Sequence, residues 1–384
     1  MSSCATIELM IIWAIAAANG ISLALSGVTL YRLSCSIRRF HQRKKLSPAG
    51  MLYDLPSVTV CIPARNERHV MTQCLENVLS SNYPKMEVLV CDDSSMDGTS
   101  NLIRSFARDG VRFVEGSPLQ DDWLGKNNAL SDLLQEASGT YVLFMDVDTL
   151  IKPDTIGQLV AYAQSAQLGM VSVLPLRRDV LRASVIVAPL RYFWRLVRHS
   201  SQHPIAASSL WMIDRKRFKH ELGDFTQFKD DPEPEVAIAT HFAALHAYRF
   251  LISFDLLGVS YEKKLSSQVE TAVRLRFPSL GYSFRKTAFA VFGLFTVLMA
   301  PVFALLSGVG VVMALGLLVM VTCYMSYALY LSVVWSRGAV IGALLYPFIL
   351  LLDMWLLLVS ATRYTLHTVT WKGRNISRFP LHRR

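Results

Sequence analysis

The chain has 384 residues, 52% of them hydrophobic, and a net charge of +10, with a mean hydropathy of +0.33. This length accommodates a soluble domain together with membrane segments, and the positive hydropathy favours that division. The charge does not indicate a nucleic-acid-binding protein, because the basic residues gather beside the hydrophobic segments and no nucleic-acid-binding motif occurs. The six cysteines include no Cys-x-x-Cys pair, so the sequence gives no zinc or disulfide framework.

The first predicted element is a membrane anchor. No charged residue lies between Leu9 and Leu30, and this stretch exceeds the roughly 20 residues that cross a bilayer. The run lacks a basic segment before it and is followed by the basic residues Arg32, Arg38, Arg39, Arg43, Lys44 and Lys45. We therefore expect an uncleaved transmembrane anchor over residues 1–31 and a basic juxtamembrane linker over 32–56. By the positive-inside rule, the domain that follows is cytoplasmic.

Short apolar runs then alternate with stretches of helical periodicity between Ser57 and Pro175. We predict strands at Val58–Ile62, Val88–Cys91, Val111–Val114, Tyr141–Met145 and Met170–Leu174. Strands that alternate with helices are typical of an α/β fold with a mostly parallel sheet covered on both faces.

Acidic residues follow three of these runs. Glu67 comes shortly after the first run, Asp92 and Asp93 directly after the second, and Asp146 and Asp148 after the fourth. Ligands of open α/β sheets bind at the carboxyl ends of the strands, so three clusters on one rim favour a binding site over solvated turns. Residues i and i+2 of a strand share a face, and the last two acids can therefore reach one Mg²⁺ or Mn²⁺ ion. The pattern indicates an enzyme that handles a nucleotide-sugar.

Arginines alternate with large apolar residues from Val180 to His199, with an interruption at Pro189. This pattern predicts an amphipathic helix at a membrane surface. A helix docked on the core of the soluble domain is the alternative.

The C-terminal third holds two further hydrophobic stretches. Thr287–Trp335 carries no charge, and Gly338–Ser360 contains a single acid, Asp353. We expect two to three membrane segments over residues 287–361 and a basic tail over 362–384. Three crossings would place the tail outside although its basic residues favour the inside, so a re-entrant or flat segment around Pro301 is the alternative. Asp353 is either a functional acid or a capped structural one.

Three motifs of the soluble part resemble those of the family 2 glycosyltransferases with a GT-A fold, which are inverting enzymes that use nucleotide-diphospho-sugars. Val58–Glu67 is similar to the family's opening strand and loop, Asp92–Thr99 to its acidic nucleotide-contacting turn, and Asp146-Val147-Asp148 to its metal motif. The resemblance implies a Rossmann-like nucleotide-sugar-binding domain with interfacial helices over residues 57–286. It implies that the donor, which we expect to be a UDP-sugar, contacts Pro63, Ala64, Glu67, Asp92, Asp93 and Asp146, and that Mg²⁺ or Mn²⁺ binds Asp146 and Asp148.

The segment Trp123–Leu130 narrows the resemblance. It is similar to the Trp-x-Gly-Lys-x-x-Ala-Leu segment of the membrane-bound ceramide glucosyltransferase-like and hopanoid- or carotenoid-associated branches. In that comparison Gly125 lets the backbone approach the ligand and Lys126 meets a phosphate as a point charge. Without the neighbouring motifs, Lys126 is an ordinary surface lysine before a helix.

Two departures from the family's pattern concern the general base and the acceptor channel. The family's base is an acid in a Glu-Asp pair, and here the count from Arg249-Phe250 favours Glu235, the paired acids favour Asp231, and Glu233 stays open. The family's Gln-x-x-Arg-Trp motif is replaced by Arg274-Leu275-Arg276-Phe277. The resemblance implies that Arg274, Arg276 and Phe277 contact substrate, because arginine pairs with diphosphate and an adjacent aromatic ring can stack.

The resemblance therefore predicts a membrane-bound, inverting, metal-dependent transferase that moves a sugar from a nucleotide-diphospho-sugar to a lipid acceptor. A polyprenyl phosphate or a growing polysaccharide is the alternative acceptor, and the altered Gln-x-x-Arg-Trp motif disfavours the polymer. A catalytically silent membrane scaffold is the alternative from a different class.

Overall fold

The chain forms two compact units. The computed structural model describes residues 3–40, 55–178, 190–200, 202–262, 264–334 and 339–376. The helical unit comprises Met1–Arg39, Asp179–Arg198 and Lys263–Trp371, and the sheet unit comprises Phe40–Arg178, His199–Glu262 and Lys372–Arg384. The sheet unit thus contains all of the predicted strands and also the C-terminal segment of the chain.

The strands of the sheet unit begin and end close to the apolar runs of the sequence. They are β1 (Val58–Ala64), β2 (Met86–Asp92), β3 (Val111–Glu115), β4 (Tyr141–Met145), β5 (Thr149–Leu150), β6 (Met170–Leu174), β7 (Leu176–Arg177), β8 (Leu210–Asp214), β9 (Tyr248–Ile252) and β10 (Ser260–Tyr261). Seven of them form a sheet in the order β3-β2-β1-β4-β8-β6-β9. Only β8 runs antiparallel to its neighbours, β4 and β6. The predicted mostly parallel α/β sheet is confirmed.

Burial explains why these runs form inner strands. Every residue of β4 and of β6 is buried, and strands covered on both faces have continuous apolar sequences rather than alternating ones. The helices of this unit are α2 (Arg68–Leu79), α3 (Thr99–Ser105), α4 (Gly125–Glu136), α5 (Thr155–Ser165), α7 (Arg215–Leu222) and α8 (Pro234–Ala244). In α2, Met71, Cys74, Leu75 and Val78 are buried, at the spacing of one helix face.

The helical unit contains the hydrophobic segments. Its helices are α1 (Ser3–Phe40, of which Phe40 belongs to the sheet unit), α6 (Leu190–Arg198), α9 (Leu265–Leu275), α10 (Phe284–Leu306), α11 (Gly310–Val334), α12 (Ala339–Leu344) and α13 (Tyr346–Thr365). Length and composition allow α1, α10, α11 and α13 to cross a bilayer. The predicted membrane segments at the two ends of the chain are therefore helices of sufficient length, and α10 continues through Pro301.

The helix α6 packs against other helices of its unit. Leu190, Phe193 and Leu196 are buried, and the Phe193 ring lies 5.7 Å from the ring of Tyr330 and 6.2 Å from that of Tyr346. The apolar side of the described part of the predicted amphipathic helix is thus covered by protein. The part of the prediction that precedes Leu190 lies outside the described residues.

Candidate nucleotide-sugar site

The acidic clusters of the sequence meet at one rim of the large sheet, which we define as the carboxyl ends of β1, β2 and β4 with the loops that follow them. The strand β1 lies between β2 and β4, so the three ends are neighbours. Ala64 at the end of β1 lies opposite Asp92 at the end of β2, and the amide of Asp93 donates to the Ala64 carbonyl at 2.9 Å. Glu67, Asp92, Asp93 and Asp146 therefore belong to one rim, as we predicted.

The loops after β1 and β2 hold each other in place. Asn66 has a positive φ of 52°, and its side-chain oxygen accepts from the Met96 amide at 2.9 Å. The Glu67 amide donates to the Thr99 hydroxyl at 2.9 Å, and one Asp97 carboxylate oxygen accepts from the Arg68 amide at 3.1 Å. Asp97 thus serves the loop structure, which leaves Asp92 and Asp93 as the acids of this motif at the strand end.

Asp92 presents a buried acceptor at the rim. The residue is 6% exposed, and its Oδ2 accepts from the Ser100 hydroxyl at 2.5 Å. Within the described part of the chain, the buried Oδ1 has no hydrogen-bond partner. A buried carboxylate oxygen without a partner is costly, so this atom is suited to accept from an N–H or O–H group of a ligand.

Two basic residues from the C-terminal segment pair with the other acids of the rim. Nη1 of Arg374 lies 2.8 and 2.7 Å from the two carboxylate oxygens of Asp93, and Nζ of Lys372 lies 2.8 Å from Oε1 of Glu67. Burial raises the pKa of the Asp93 carboxyl and that of Glu67, and the paired Arg374 and Lys372 oppose the increase. Sequence reasoning missed both basic residues, because it treated them only as charges of a membrane-flanking tail.

The Asp-Val-Asp motif directly follows the end of β4 at Met145. Val147 is buried in the hydrophobic core, while Asp146 and Asp148 on either side of it are partly exposed, so the two carboxylates point away from the core. Among the described residues, no group of three or more His, Cys, Asp or Glu side chains is arranged to hold a metal ion. Mg²⁺ is commonly bound by one or two carboxylates together with substrate phosphates, and this pair fits that donor set.

Lys126 connects the Trp-x-Gly-Lys segment to the metal motif. Its Nζ lies 2.6 Å from Oδ1 of Asp146, and α4 begins at the preceding residue, Gly125. The glycine has a direct structural role, because a Cβ atom at this position would lie 2.5 Å from Nη1 of Arg374 and 2.8 Å from Oδ2 of Asp93. The lysine is therefore at the rim and next to the acid that we predict binds both donor and metal.

The loop with the candidate general bases is attached to the same segment. The side-chain amide of Asn127 donates to the carbonyl oxygens of Phe228 at 2.6 Å and Asp231 at 2.8 Å. Asp231 is partly exposed, and its Oδ1 accepts from the Glu233 amide at 2.9 Å. Glu235 lies in the first turn of α8 and is 3% exposed. Sequence reasoning did not identify Asn127, whose partners lie about a hundred residues away.

The remaining predicted substrate contacts lie in the helical unit. The Arg274 guanidinium lies 5.4 Å from the centroid of the Trp371 ring, and the Phe277 ring lies 5.1 Å from that of Phe284. Arg276 forms an ion pair with Asp353, in which the side chains are 12% and 4% exposed. These three residues belong to the helical unit, whereas the rim acids belong to the sheet unit.

The Asp353 carboxylate is thus a paired structural acid within a hydrophobic helix. Besides the ion pair, it accepts a hydrogen bond at 3.1 Å from the indole N–H of Trp194. A cavity of about 350 Å³ lies beside this cluster, and Arg198, Leu25, Phe289 and Gly293 are among the residues that line it. The lining of the cavity therefore combines apolar side chains with the charged side chains of Arg198, Arg276 and Asp353.

Comparison with known proteins agrees with the motifs at the rim. Residues 59–220 match the model of the family described as Glycosyl transferase family 2. Residues 59–220 are therefore similar to the domain of glycosyltransferase family 2, as the motifs predicted.

Two known proteins are similar to this chain, one in sequence and one in structure. The chain is 27% identical over 157 residues to a 4,4'-diaponeurosporenoate glycosyltransferase of Staphylococcus aureus, and the match spans 40% of this chain and 41% of the relative. It is also similar in structure to a mannosyltransferase of Pyrobaculum calidifontis in complex with GDP-Man and Mn²⁺, with a TM-score of 0.57, 23% identity, and coverage of 88% of this chain and 99% of the other. The second likeness shows the shared fold.

Proposed function

We propose that this protein is a membrane-bound inverting glycosyltransferase that moves a sugar from a nucleotide-diphospho-sugar to a lipid acceptor. The observation that carries the proposal is the convergence of Glu67, Asp92, Asp93 and the Asp146–Lys126 pair at one rim of a family 2 domain. Carboxylates, a lysine and a close-approach glycine at the carboxyl ends of parallel strands suit a ligand with a base, a ribose and a diphosphate.

The rim residues divide the work of donor binding. The buried Asp92 Oδ1 would accept from an N–H group of the base, and the ring N–H of the uracil in a UDP-sugar supplies such a donor. Pro63 and Ala64 would line the nucleoside at the end of β1, and Glu67 and Asp93 would hold the nucleoside together with Asp92. Lys126 donates to the diphosphate once the donor competes with Asp146 for its amine.

Asp146 and Asp148 would hold Mg²⁺ or Mn²⁺, which when bound stabilises the charge that develops on the departing nucleoside diphosphate. The mannosyltransferase of similar fold, which is described in complex with Mn²⁺, supports this assignment.

The general base is Glu235 or Asp231. Either carboxylate accepts the proton of the acceptor hydroxyl while its oxygen attacks the anomeric carbon from the side opposite the diphosphate, so the configuration inverts. The partial exposure of Asp231 supports its access to an acceptor, and the position of Glu235 in the first turn of α8 supports the alternative. Replacing each by its amide separates the two, since only loss of the base lowers kcat strongly while leaving the donor Kd unchanged.

The lipid acceptor is supported by the cavity in the helical unit. Its apolar lining residues suit a hydrocarbon or isoprenoid chain, and the lining residues Arg276 and Arg198 suit a polar head group. Arg274 and Phe277 would contact substrate near the same end of α9. The S. aureus relative, which is named for 4,4'-diaponeurosporenoate, also supports an acceptor of carotenoid type. We place the sheet unit in the cytoplasm, because basic residues follow the first membrane helix.

The test is transfer of radiolabelled sugar from a panel of nucleotide-sugars into the organic-extractable lipid of membranes that contain the full chain. We expect label in lipid for wild type with Mn²⁺ or Mg²⁺, and none for Asp148→Asn or after EDTA treatment. Label in a water-soluble polymer would instead favour the polysaccharide reaction. A folded, inserted protein that transfers from no donor would support the silent scaffold.

A further inference from the structure

The C-terminal segment Lys372–Ile376 contributes to the rim although it lies more than 220 residues from the other rim residues in sequence. It belongs to the sheet unit, as Glu67, Asp92 and Asp93 do. Its direction changes sharply at Lys372 and Gly373, which both have positive φ, at 47° and 81°. At this turn, Lys372 meets Glu67 and Arg374 meets Asp93.

The segment is fixed at several points on the two loops of the rim. Besides the Arg374–Asp93 and Lys372–Glu67 pairs, the Nε of Arg65 donates to the Lys372 carbonyl at 3.2 Å. Asp93 is only 6% exposed at its side chain, and Arg374 is 23% exposed. Exposed ion pairs contribute little, but a guanidinium shared by both oxygens of a buried carboxylate is a strong and directional contact.

Gly125 supplies an independent observation. The Arg374 guanidinium occupies the space that a Cβ atom at this position would need, with Nη1 at 2.5 Å from that point. The glycine that we predicted to admit the ligand therefore also admits Arg374, directly beside Lys126. The C-terminal segment and the predicted phosphate-binding segment thus lie next to each other at Arg374 and Gly125.

The rim carries several carboxylates, so a ligand with a diphosphate needs cations there. Asp92, Asp93, Glu67, Asp146 and Asp148 would repel an anionic diphosphate. From the rim's own loops and α4, Arg65 and Lys126 are the cations whose contacts with this cluster are described above. The guanidinium of Arg374 has further N–H donors beyond those that Asp93 uses, and the Lys372 ammonium has three. Both can hold a carboxylate and a phosphate oxygen at the same time.

We infer that Lys372 and Arg374 are donor-binding residues, and that the C-terminal segment completes the site for the diphosphate of the nucleotide-sugar. This inference rests on the proposed function and deepens it. The contacts to Glu67 and Asp93 position the two basic side chains, and the diphosphate of the donor then shares them.

The experiment is a titration of the full-length protein in detergent with UDP, GDP and uridine in the presence of Mn²⁺, without any acceptor. We expect Arg374→Met to weaken binding of the preferred nucleoside diphosphate by about 10- to 100-fold, the range of a charge-assisted hydrogen bond. Lys372→Met should weaken it by about 3- to 10-fold, because an ammonium on a flexible stem is the less directional donor. Arg374→Lys should restore part of the loss, and uridine binding should change much less.

The matched control is Arg108→Met, which removes the same charge from an exposed position in the sheet unit and should leave the Kd unchanged. The unfolding temperature of each variant is measured beside its Kd, so that a folding defect is recognised. An unchanged Kd for UDP and GDP in both variants would overturn the inference, as would tighter binding, which would make the segment a latch that excludes donor. If wild type binds no nucleotide at all, the proposed function fails and this inference fails with it.

Discussion

Both units of the molecule pair carboxylates with basic side chains, but the Glu67–Lys372 pair of the rim is more exposed than the Arg276–Asp353 pair of the helical unit. At the rim, Glu67 and Lys372 are 22% and 26% exposed at their side chains, whereas Asp353 and Arg276 in the helical unit are 4% and 12% exposed. Asp353 also accepts from the Trp194 indole. A partly exposed pair exchanges a partner for a ligand at a lower cost than a buried pair, because less desolvation is at stake.

The difference separates a binding function from a structural one. The Arg276–Asp353 pair joins the chain just after α9 to α13, and Trp194 joins α6 to the same acid. We therefore expect loss of the pair in the helical unit to appear mainly in stability, and loss of rim pairs to appear mainly in donor binding. The following predictions test this contrast.

The largest effect should follow from removal of Arg276. Arg276→Met leaves a buried carboxylate without its ion-pair partner, which costs about 3–5 kcal/mol. We expect a much lower temperature of unfolding in detergent. The double variant Arg276→Met/Asp353→Leu should recover most of the loss, because it removes both charges. If the single variant were as stable as wild type and only lost activity, Arg276 would be a substrate contact rather than a structural partner.

Removal of one predicted metal ligand should have the second largest effect, and it should lower activity rather than stability. Asp148→Asn should lower kcat by about 10²- to 10³-fold, the range found when one group that stabilises transition-state charge is lost. The unfolding temperature should change little, because the side chain is partly exposed. Activity measurements with and without EDTA check the result, and a variant that retains activity would exclude this acid as a ligand.

Gly125→Ala should produce a smaller and more specific effect. The new methyl group would meet Arg374 and Asp93 at less than 3 Å, so we expect the donor KM to rise about tenfold, which corresponds to roughly 1.4 kcal/mol. Gly27→Ala is the control, because nothing lies within 4 Å of a Cβ atom there. Adding Arg374→Ala to the Gly125→Ala protein should make no further difference to the donor KM if both act through one contact.

The smallest effect concerns pH. Burial raises the pKa of Glu67 and of Asp93, so both carboxyls take up protons at a higher pH than usual as the solution is acidified. The ionised forms then cost stability above these raised pKa values, and that cost disappears as pH falls. The donor should bind more weakly as the pH falls, because protonated Glu67 and Asp93 no longer position Lys372 and Arg374.

We expect the donor KM to rise about two- to threefold on mild acidification, since partly exposed pairs are worth about 0.2–1 kcal/mol. The charged groups that act on Glu67 are Lys372, Asp148 and His69, and those that act on Asp93 are Arg374, Arg65 and Asp92. A Glu67→Gln/Asp93→Asn protein should lose the pH dependence. If the dependence persisted in this protein, neither carboxyl would be its source.

The inner strands of the fold could be predicted because their apolar runs are local signals. The run Tyr141–Met145 coincides with β4, and Met170–Leu174 coincides with β6. The strand β8 was not predicted, and its antiparallel direction between β4 and β6 has no local signature. Gly139 follows the end of α4 at Glu136, and a Cβ atom at this glycine would lie 2.6 Å from the backbone nitrogen of Thr59.

The site could be predicted only where its residues directly follow strands. Asp92, Asp93, Asp146 and Asp148 lie within a few residues of a strand end, so the parallel sheet brings them to one rim. Asn127 binds carbonyl groups 101 and 104 residues away, and Arg374 binds Asp93 across 281 residues. No spacing in the sequence marks such pairs.

The sequence by itself determined the α/β architecture, the membrane helices at both ends of the chain and the acids of the rim, since periodicity, length and hydropathy act over neighbouring residues. Only the tertiary structure decided which cation meets which acid: Arg276 with Asp353, Lys372 with Glu67, and Arg374 with Asp93. A charged side chain is compatible with many partners in the unfolded chain, and packing selects one of them by burial and geometry.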